Sequence, residues 1–160
     1  MKTIGCFFAN QTRYFLFTVR NSAPVLWFVF ALLTGCRPPT YTPATFPEGQ
    51  LAFGSGGGFT GQVTEYTLLE NGQLFETNSL TKETRELKRI GALARRQLWA
   101  ATERLELQKR DFNHPGNQYA FLQRKRGETT HRVTWGSPGH PVPDDIRAVY
   151  QQLVDQVGKQ

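Results

Sequence analysis

Five glycines fall within the eight residues 54–61, in the stretch FGSGGGFTGQV that runs from Phe53 to Val63. The segments on both sides of it are typical of β-strands. Downstream, GQVTEYTLLENGQLFETN contains two strand-like runs joined by Asn71-Gly72, which favours a β-hairpin because both turn positions of such a hairpin need positive φ. The glycine stretch is therefore predicted to connect strand to strand, within a sheet.

The position of the glycines argues against a phosphate-binding loop. The G-x-G-x-x-G spacing is met by Gly56, Gly58 and Gly61. A dinucleotide-binding fingerprint must open a helix whose N-terminus meets the pyrophosphate, and here a strand follows. The Lys-Ser or Lys-Thr pair of a P-loop is also missing from the stretch.

Two other interpretations of the glycine stretch remain. In the first, the glycines form a β-bulge or a tight crossover and Phe59 packs into the core, as glycines between strands commonly serve backbone geometry. In the second, Ser55 to Thr60 form a rigid projecting loop in which the missing side chains let another surface approach the backbone. We favour the first interpretation from the sequence.

The N-terminal residues 1–35 have the layout of an export signal. They contain Lys2, Arg13 and Arg20 but no acidic residue, and an apolar run extends from Val25 to Leu33. This run is far shorter than the roughly 20 apolar residues that a transmembrane helix needs. A signal peptide is therefore favoured over a membrane span.

The apolar run ends in LLTGC, which resembles the lipobox of bacterial lipoproteins. The resemblance implies cleavage between Gly35 and Cys36, acylation of Cys36, and a lipid-anchored protein exported to the bacterial cell envelope, at the periplasmic face or the outer membrane. Residues 36–49 then contain four prolines and no helical or strand period, which predicts an extended tether. Residues 50–160 are enough for one domain.

Cysteine and charge counts exclude several functional classes. Cys6 leaves with the signal peptide and Cys36 is consumed by lipid, so no thiol remains for a disulfide, a zinc site or a nucleophile. Cleavage lowers Lys plus Arg from 19 to 16 while Asp plus Glu stays at 13, so the net charge falls from +6 to about +3. A nucleic-acid partner is poorly supported by this charge, and we expect no cofactor.

The rest of the chain alternates between strand and helix patterns. Residues 84–90 fit either a strand or a helix, and we favour a strand because Gly91 is costly inside a helix. A helix is predicted from Ala92, a second hairpin turns near Arg126-Gly127, and a last helix opens at Pro143. The predicted apolar faces of the two helices are Ala94, Leu98, Ala101 and Leu105, then Ile146, Val149, Tyr150, Leu153 and Val157. The fold class is α+β, an antiparallel sheet of four to five strands with two helices packed on one face.

The sequence contains no strong pattern of catalytic or metal-binding residues. The three histidines, at positions 114, 131 and 140, lack the short spacings of metal sites, so no metal site is predicted. Asp144 and Asp145 are better explained by the dipole of the last helix than by acid-base chemistry. The chain is therefore predicted not to be an enzyme. The alternative is a small hydrolase that uses Asp111, His114 and Asn117 in the segment DFNHPGN.

The segment SGGGFTG resembles the glycine signature near the start of emfourin-type proteins, small inhibitors of thermolysin-like metallopeptidases, and the order of elements that follows is also similar. The resemblance implies a protein-binding module whose partner is an envelope or secreted peptidase. It places the contact loop at Ser55, Gly56, Gly57, Gly58, Phe59, Thr60 and Gly61. The extra glycine, the Asn71-Gly72 hairpin and the lipid anchor depart from the family pattern, so a purely structural envelope lipoprotein is a further alternative.

Overall fold

The computed structural model describes residues 39–159. The predicted signal peptide, Gly35 and Cys36 lie outside the described residues. Within residues 39–159 there are seven strands and two α-helices. The strands are β1 (Gln50–Gly57), β2 (Val63–Leu69), β3 (Leu74–Asn78), β4 (Thr84–Glu86), β5 (Asn113–His114), β6 (Gln118–Arg126) and β7 (Thr129–Trp135). The helices are α1 (Ala92–Arg104) and α2 (Asp144–Val157), and short 3₁₀ turns occupy Pro43–Thr45 and Leu107–Lys109.

The strands form one sheet in the order β4-β3-β2-β1-β6-β7-β5. Every recorded pairing is antiparallel except that of β5 with β7, which is parallel, so the described sheet is mixed. The α+β class is confirmed, but the expectation of four to five strands in a wholly antiparallel sheet is wrong. The missed strand, β5, is an edge strand of two residues, whereas β4 confirms the strand favoured within residues 84–90 but has only three residues. Segments this short show no alternation that a pattern could reveal.

Both helices cover the same face of the sheet. Along β1, Leu51 and Phe53 are fully buried and belong to one core cluster with residues of α1 and α2. Successive residues of a strand point to opposite faces, so Ala52 and Gly54 lie on the other face. The register places Phe53 beside Leu122 and Tyr66, both of which join the same cluster.

The predicted helix faces are confirmed. Leu98 and Leu105 are buried, and Ala94 and Ala101 are half-buried against the core, where the spacing of four, three and four residues puts them on one side of α1. In α2 the fully or nearly fully buried residues are Ile146, Val149 and Leu153, with Tyr150 and Val157 packed beside them. Pro143 is the N-cap residue of α2 rather than its first helical residue.

The turn at Asn71-Gly72 differs in type from the expected one. Gly72 has φ +93°, whereas the φ angle of Asn71 is not positive. The amide of Gly72 donates to the Leu69 carbonyl (2.9 Å), and the amide of Leu69 donates to the Gln73 carbonyl (2.9 Å). This is a three-residue turn closed by a glycine in the left-handed region, not the two-residue turn with two positive φ angles. The Asn71 side chain instead accepts a hydrogen bond from the Gln73 amide (2.9 Å).

Residues 39–49, which we interpreted as part of a tether, lie against the domain. The amide of Tyr41 donates to Gln73 Oε1 (2.7 Å), and Gln73 Nε2 donates back to the Tyr41 carbonyl (3.0 Å). The ring of Phe46 packs on Phe75 at 4.7 Å between centroids, on the face of the sheet without helices. The folded unit therefore begins before Gln50, the boundary predicted from composition.

On the β7 side of the face without helices, Arg132 covers a buried aromatic ring. The Arg132 guanidinium lies 3.7 Å from the centre of the Phe121 ring, which is fully buried. Burial raises the pKa of the neighbouring Glu65 carboxyl above its usual value, and the attraction of Arg132 offsets only part of this effect. The fold therefore places the Glu65 carboxyl where burial disfavours its ionised form.

Trp135 packs its ring edge-on against Tyr150 at 5.0 Å between centroids, which ties the end of β7 to α2. Since Trp135 is half-buried, we expect Trp135→Ala to lower the free energy of unfolding by about 2 to 3 kcal/mol, less than the cost for a fully buried tryptophan. Chemical denaturation measures this difference. The control is Leu93→Ala, because Leu93 is 70% exposed on α1. A Trp135→Ala protein that keeps its stability but loses a binding partner would show that this corner is the binding surface.

Glu65→Gln should change stability in a pH-dependent way. The folded-state pKa of Glu65 is raised, so the residue costs nothing at pH values where both states are protonated, and its cost grows as pH rises towards the folded pKa. The variant should therefore be more stable than the wild type at about pH 7 and equally stable at about pH 3.5. Thermal unfolding at the two pH values measures this. A variant that is less stable at neutral pH would mean that the attraction to Arg132 outweighs burial.

Candidate functional site

The glycine stretch is an extension of β1 followed by a short turn. Gly54–Gly57 lie in the strand, paired on one side with β2 and on the other with β6. The turn is closed by backbone hydrogen bonds from the Gly57 amide to the Gln62 carbonyl (3.1 Å) and from the Gly61 amide to the Gly58 carbonyl (3.2 Å). The Gly58 amide donates to the Asn117 carbonyl (2.7 Å), so the turn is also attached to the segment before β6.

Two of these positions need glycine because other backbones come too close for a side chain. A Cβ atom on Gly54 would lie 2.1 Å from the Thr64 carbonyl oxygen, and one on Gly57 would lie 2.1 Å from the Asn117 carbonyl oxygen. Gly57 also has φ +96°, which residues with a side chain rarely adopt. The glycines therefore serve sheet geometry along β1, but they do so in a continuous register and not in the β-bulge or crossover of the first interpretation.

The position of Phe59 contradicts the other half of that interpretation. Phe59 is 108% exposed at the tip of the turn, so the prediction that it packs into the core is wrong. The turn that carries the ring is short, because the Gly57 amide already bonds to the Gln62 carbonyl at its base. The projecting part is also smaller than expected, since Ser55, Gly56 and Gly57 are strand residues.

A second exposed apolar side chain occurs at the same end of the sheet. Leu80, in the loop between β3 and β4, is 57% exposed. This loop is attached to the start of β2, because the Ser79 amide donates to the Val63 carbonyl (2.9 Å) and the Val63 amide donates to Ser79 Oγ (2.8 Å). We call Phe59 and Leu80 together the apolar tip. Sequence reasoning missed Leu80, although an isolated leucine in the polar stretch NSLTKE was a usable signal.

A shallow groove of about 460 Å³ lies beside the turn and is lined mainly by polar groups, including Ser55, Thr60, Thr64 and Gln118. Next to Ser55, the Tyr150 hydroxyl donates a hydrogen bond to the Gly54 carbonyl (3.2 Å). Burial raises the pKa of the Tyr150 phenol, while a hydrogen bond with Ser55 lowers it in part. The phenol therefore stays neutral and acts as a hydrogen-bond donor that fixes α2 to the central strand.

The residues of the alternative hydrolase site do not form a hydrogen-bonded group. Asp111 and Asn117 are exposed, and within residues 39–159 no hydrogen bond joins either side chain to His114. The His114 ring stacks in parallel on His140 at 4.0 Å between centroids and meets Phe112 edge-on. Sequence reasoning found no short spacing between the two histidines and missed this contact.

The two aspartates that open α2 are placed as the helix-dipole interpretation expects. Asp145 Oδ1 accepts a hydrogen bond from the Ile146 amide (2.9 Å), and the Asp145 carboxylate also pairs with Arg110. Among residues 39–159, no group of three or more histidine, cysteine or acidic side chains is arranged to hold a metal ion. In the same range, no helix is both long and apolar enough to cross a membrane.

No known family model matches the chain, and a search of curated proteins finds no match. The resemblance to emfourin-type inhibitors therefore depends on residues 55–61 and on the order of the elements. In the structure, those residues form the end of the central strand and the turn that carries Phe59.

A glycine-to-alanine series tests the geometry of the stretch. Gly57→Ala combines a positive φ with a backbone clash, so we expect a loss of more than about 2 kcal/mol of unfolding free energy. Gly61→Ala has φ +63° but open space around its Cβ, so a loss of about 1 kcal/mol is expected. Gly139→Ala, with neither constraint, is the control. Equal stabilities for the three variants would show that the close approach to Asn117 does not constrain the fold.

Proposed function

We propose that this protein is a lipid-anchored protein of the bacterial cell envelope that binds a protein partner through the apolar tip and does not catalyse a reaction. The resemblance of SGGGFTG to emfourin-type proteins indicates the class of partner, a thermolysin-like peptidase in the envelope or secreted. In this proposal the protein is exported, Cys36 carries the lipid, and no cofactor takes part.

The observation that carries the proposal is the complete exposure of Phe59 on a turn that is held by hydrogen bonds on two sides. An aromatic side chain gains little for folding when it is left in water, whereas buried aromatic anchors dominate the energy of many interfaces. Because the turn is already ordered, binding through it would lose little backbone entropy. Leu80 widens the apolar surface at the same end.

Phe59→Ala should abolish or strongly weaken inhibition of a thermolysin-like peptidase by the purified protein. We expect a loss of about 2 kcal/mol or more of binding free energy, roughly a 30-fold rise in the inhibition constant, as for a central aromatic anchor. Leu80→Ala should have a smaller effect in the same direction. Residual peptidase activity, measured against inhibitor concentration, gives both values.

Leu93→Ala is the matched control for these variants, because it removes an exposed leucine from α1, an element outside the apolar tip. All three variants should unfold at the temperature of the wild type, since none of the side chains is buried. Wild-type protein that leaves peptidase activity unchanged at micromolar concentration would remove the inhibitor role. Inhibition that survives Phe59→Ala would place the contact elsewhere on the domain.

A further inference from the structure

A groove of about 420 Å³ lies between α1, the turn after β2, and β6, at the end of the sheet opposite the apolar tip. Its lining includes Glu70, Arg95, Arg96, Trp99, Glu103 and Arg124, and we call it the basic groove. The structure adds Arg124 from β6, which the sequence pattern did not connect with α1.

Two buried hydrogen-bond donors in the basic groove lack an acceptor. Within the described chain, neither Trp99 Nε1 nor Arg124 Nη1 has a hydrogen-bond partner, although both atoms are buried. The Arg124 guanidinium lies 5.2 Å from the centre of the Trp99 ring and forms an ion pair with Glu103 through Nη2 (2.5 Å). Leaving buried donors unpaired is costly, so an occupant that brings acceptor oxygens is favoured here.

The charge of the groove favours an anionic occupant. Arg95 makes no hydrogen bond or ion pair with the other described residues, and Arg96 donates only to the Ala92 carbonyl (3.3 Å). Three arginines line the groove against two glutamates, one of which is paired with Arg124. Guanidinium groups and an indole N–H that line one groove suit the oxygens of a phosphate group.

The chain enters the described domain beside this groove. Asn71 Nδ2 donates to the Pro39 carbonyl (2.7 Å), and Arg89 Nη2 donates to Thr40 Oγ1 (3.1 Å). The next residue, Gly72, is so close to Arg95 that a Cβ on it would lie 3.5 Å from Arg95 Cδ. Cys36 precedes Pro39 by three residues, which span at most about 11 Å of extended chain. A lipid on Cys36 therefore keeps the membrane surface within reach of the groove.

We propose that the basic groove binds the phosphate headgroup of an anionic phospholipid in the membrane that holds the lipid anchor. The inference rests on the proposed lipidation of Cys36. Arg95, Arg96 and Arg124 contact the phosphate oxygens, and Trp99 Nε1 donates to one of them. Docking in this way orients the sheet with its apolar tip away from the membrane, towards a partner.

The test uses the full chain, processed in a bacterial host and reconstituted into vesicles that contain a lipid with a nitroxide on its headgroup. The difference in fluorescence between wild type and Trp99→Phe isolates Trp99. Trp135, at the end of the sheet that carries the apolar tip, serves as an internal reference. Trp99 should be quenched in vesicles containing phosphatidylglycerol and much less in pure phosphatidylcholine. Trp135 should remain unquenched in both.

The double variant Arg95→Gln, Arg96→Gln should weaken docking by roughly 30-fold, about fivefold for each charge lost near an anionic surface. Quenching of Trp99 should fall accordingly. The matched control is Arg104→Gln, an exposed arginine of α1 outside the groove, which should behave as the wild type.

Vesicle flotation separates the two ways in which the inference can fail. A protein that floats with the vesicles through Cys36, as shown by loss of flotation in Cys36→Ala, but whose Trp99 is not quenched, contradicts the docking and leaves the lipoprotein proposal intact. A protein that does not float contradicts both. If a peptide carboxylate shifts Trp99 emission in detergent while lipids quench nothing, the groove belongs to a protein partner and the headgroup proposal is wrong.

Discussion

The pairing of β1 with both β2 and β6 is the constraint on which the described fold depends. Among residues 39–159, β1 joins the β4-β3-β2 half of the sheet to the β6-β7-β5 half. Its first residues, Leu51 and Phe53, are buried under the helices, whereas its last residues are glycines squeezed between two neighbouring backbones. Because β1 is paired along its full length, the turn after it starts from a fixed position.

The two ends of the sheet have opposite chemistry. One end carries Phe59 and Leu80 on loops that are hydrogen-bonded to the sheet. The other end, about 20 Å away along β2, carries the arginines of the basic groove and the point where residues 39–40 join the domain. For the lipid-anchored protein proposed above, this polarity would favour an orientation with the apolar end away from the membrane, because charged groups suit the membrane surface and exposed aromatic groups suit a partner.

Periodicity in the sequence was sufficient for the helices and the long strands, since burial of Leu98 in α1 and of Ile146 and Leu153 in α2 follows directly from helical spacing. The edge strand β5 was missed because its two residues show no period. Phe59 was misplaced because an aromatic residue among glycines has the same pattern whether it is buried or exposed. The groove could not be foreseen either, because Arg124 and Trp99 are 25 positions apart and meet only through the sheet.

The central claim is that the glycine stretch is a rigid extension of the sheet that holds Phe59 in place. Amide hydrogen exchange of individual residues, followed by NMR, tests it most directly. The Gly57 and Gly58 amides donate to the Gln62 and Asn117 carbonyls, so they should be protected to a similar degree as amides in the middle of β1. Exchange of both amides at the rate of an unstructured chain would mean that the stretch is a flexible loop, and the account of a preformed binding surface would then be contradicted.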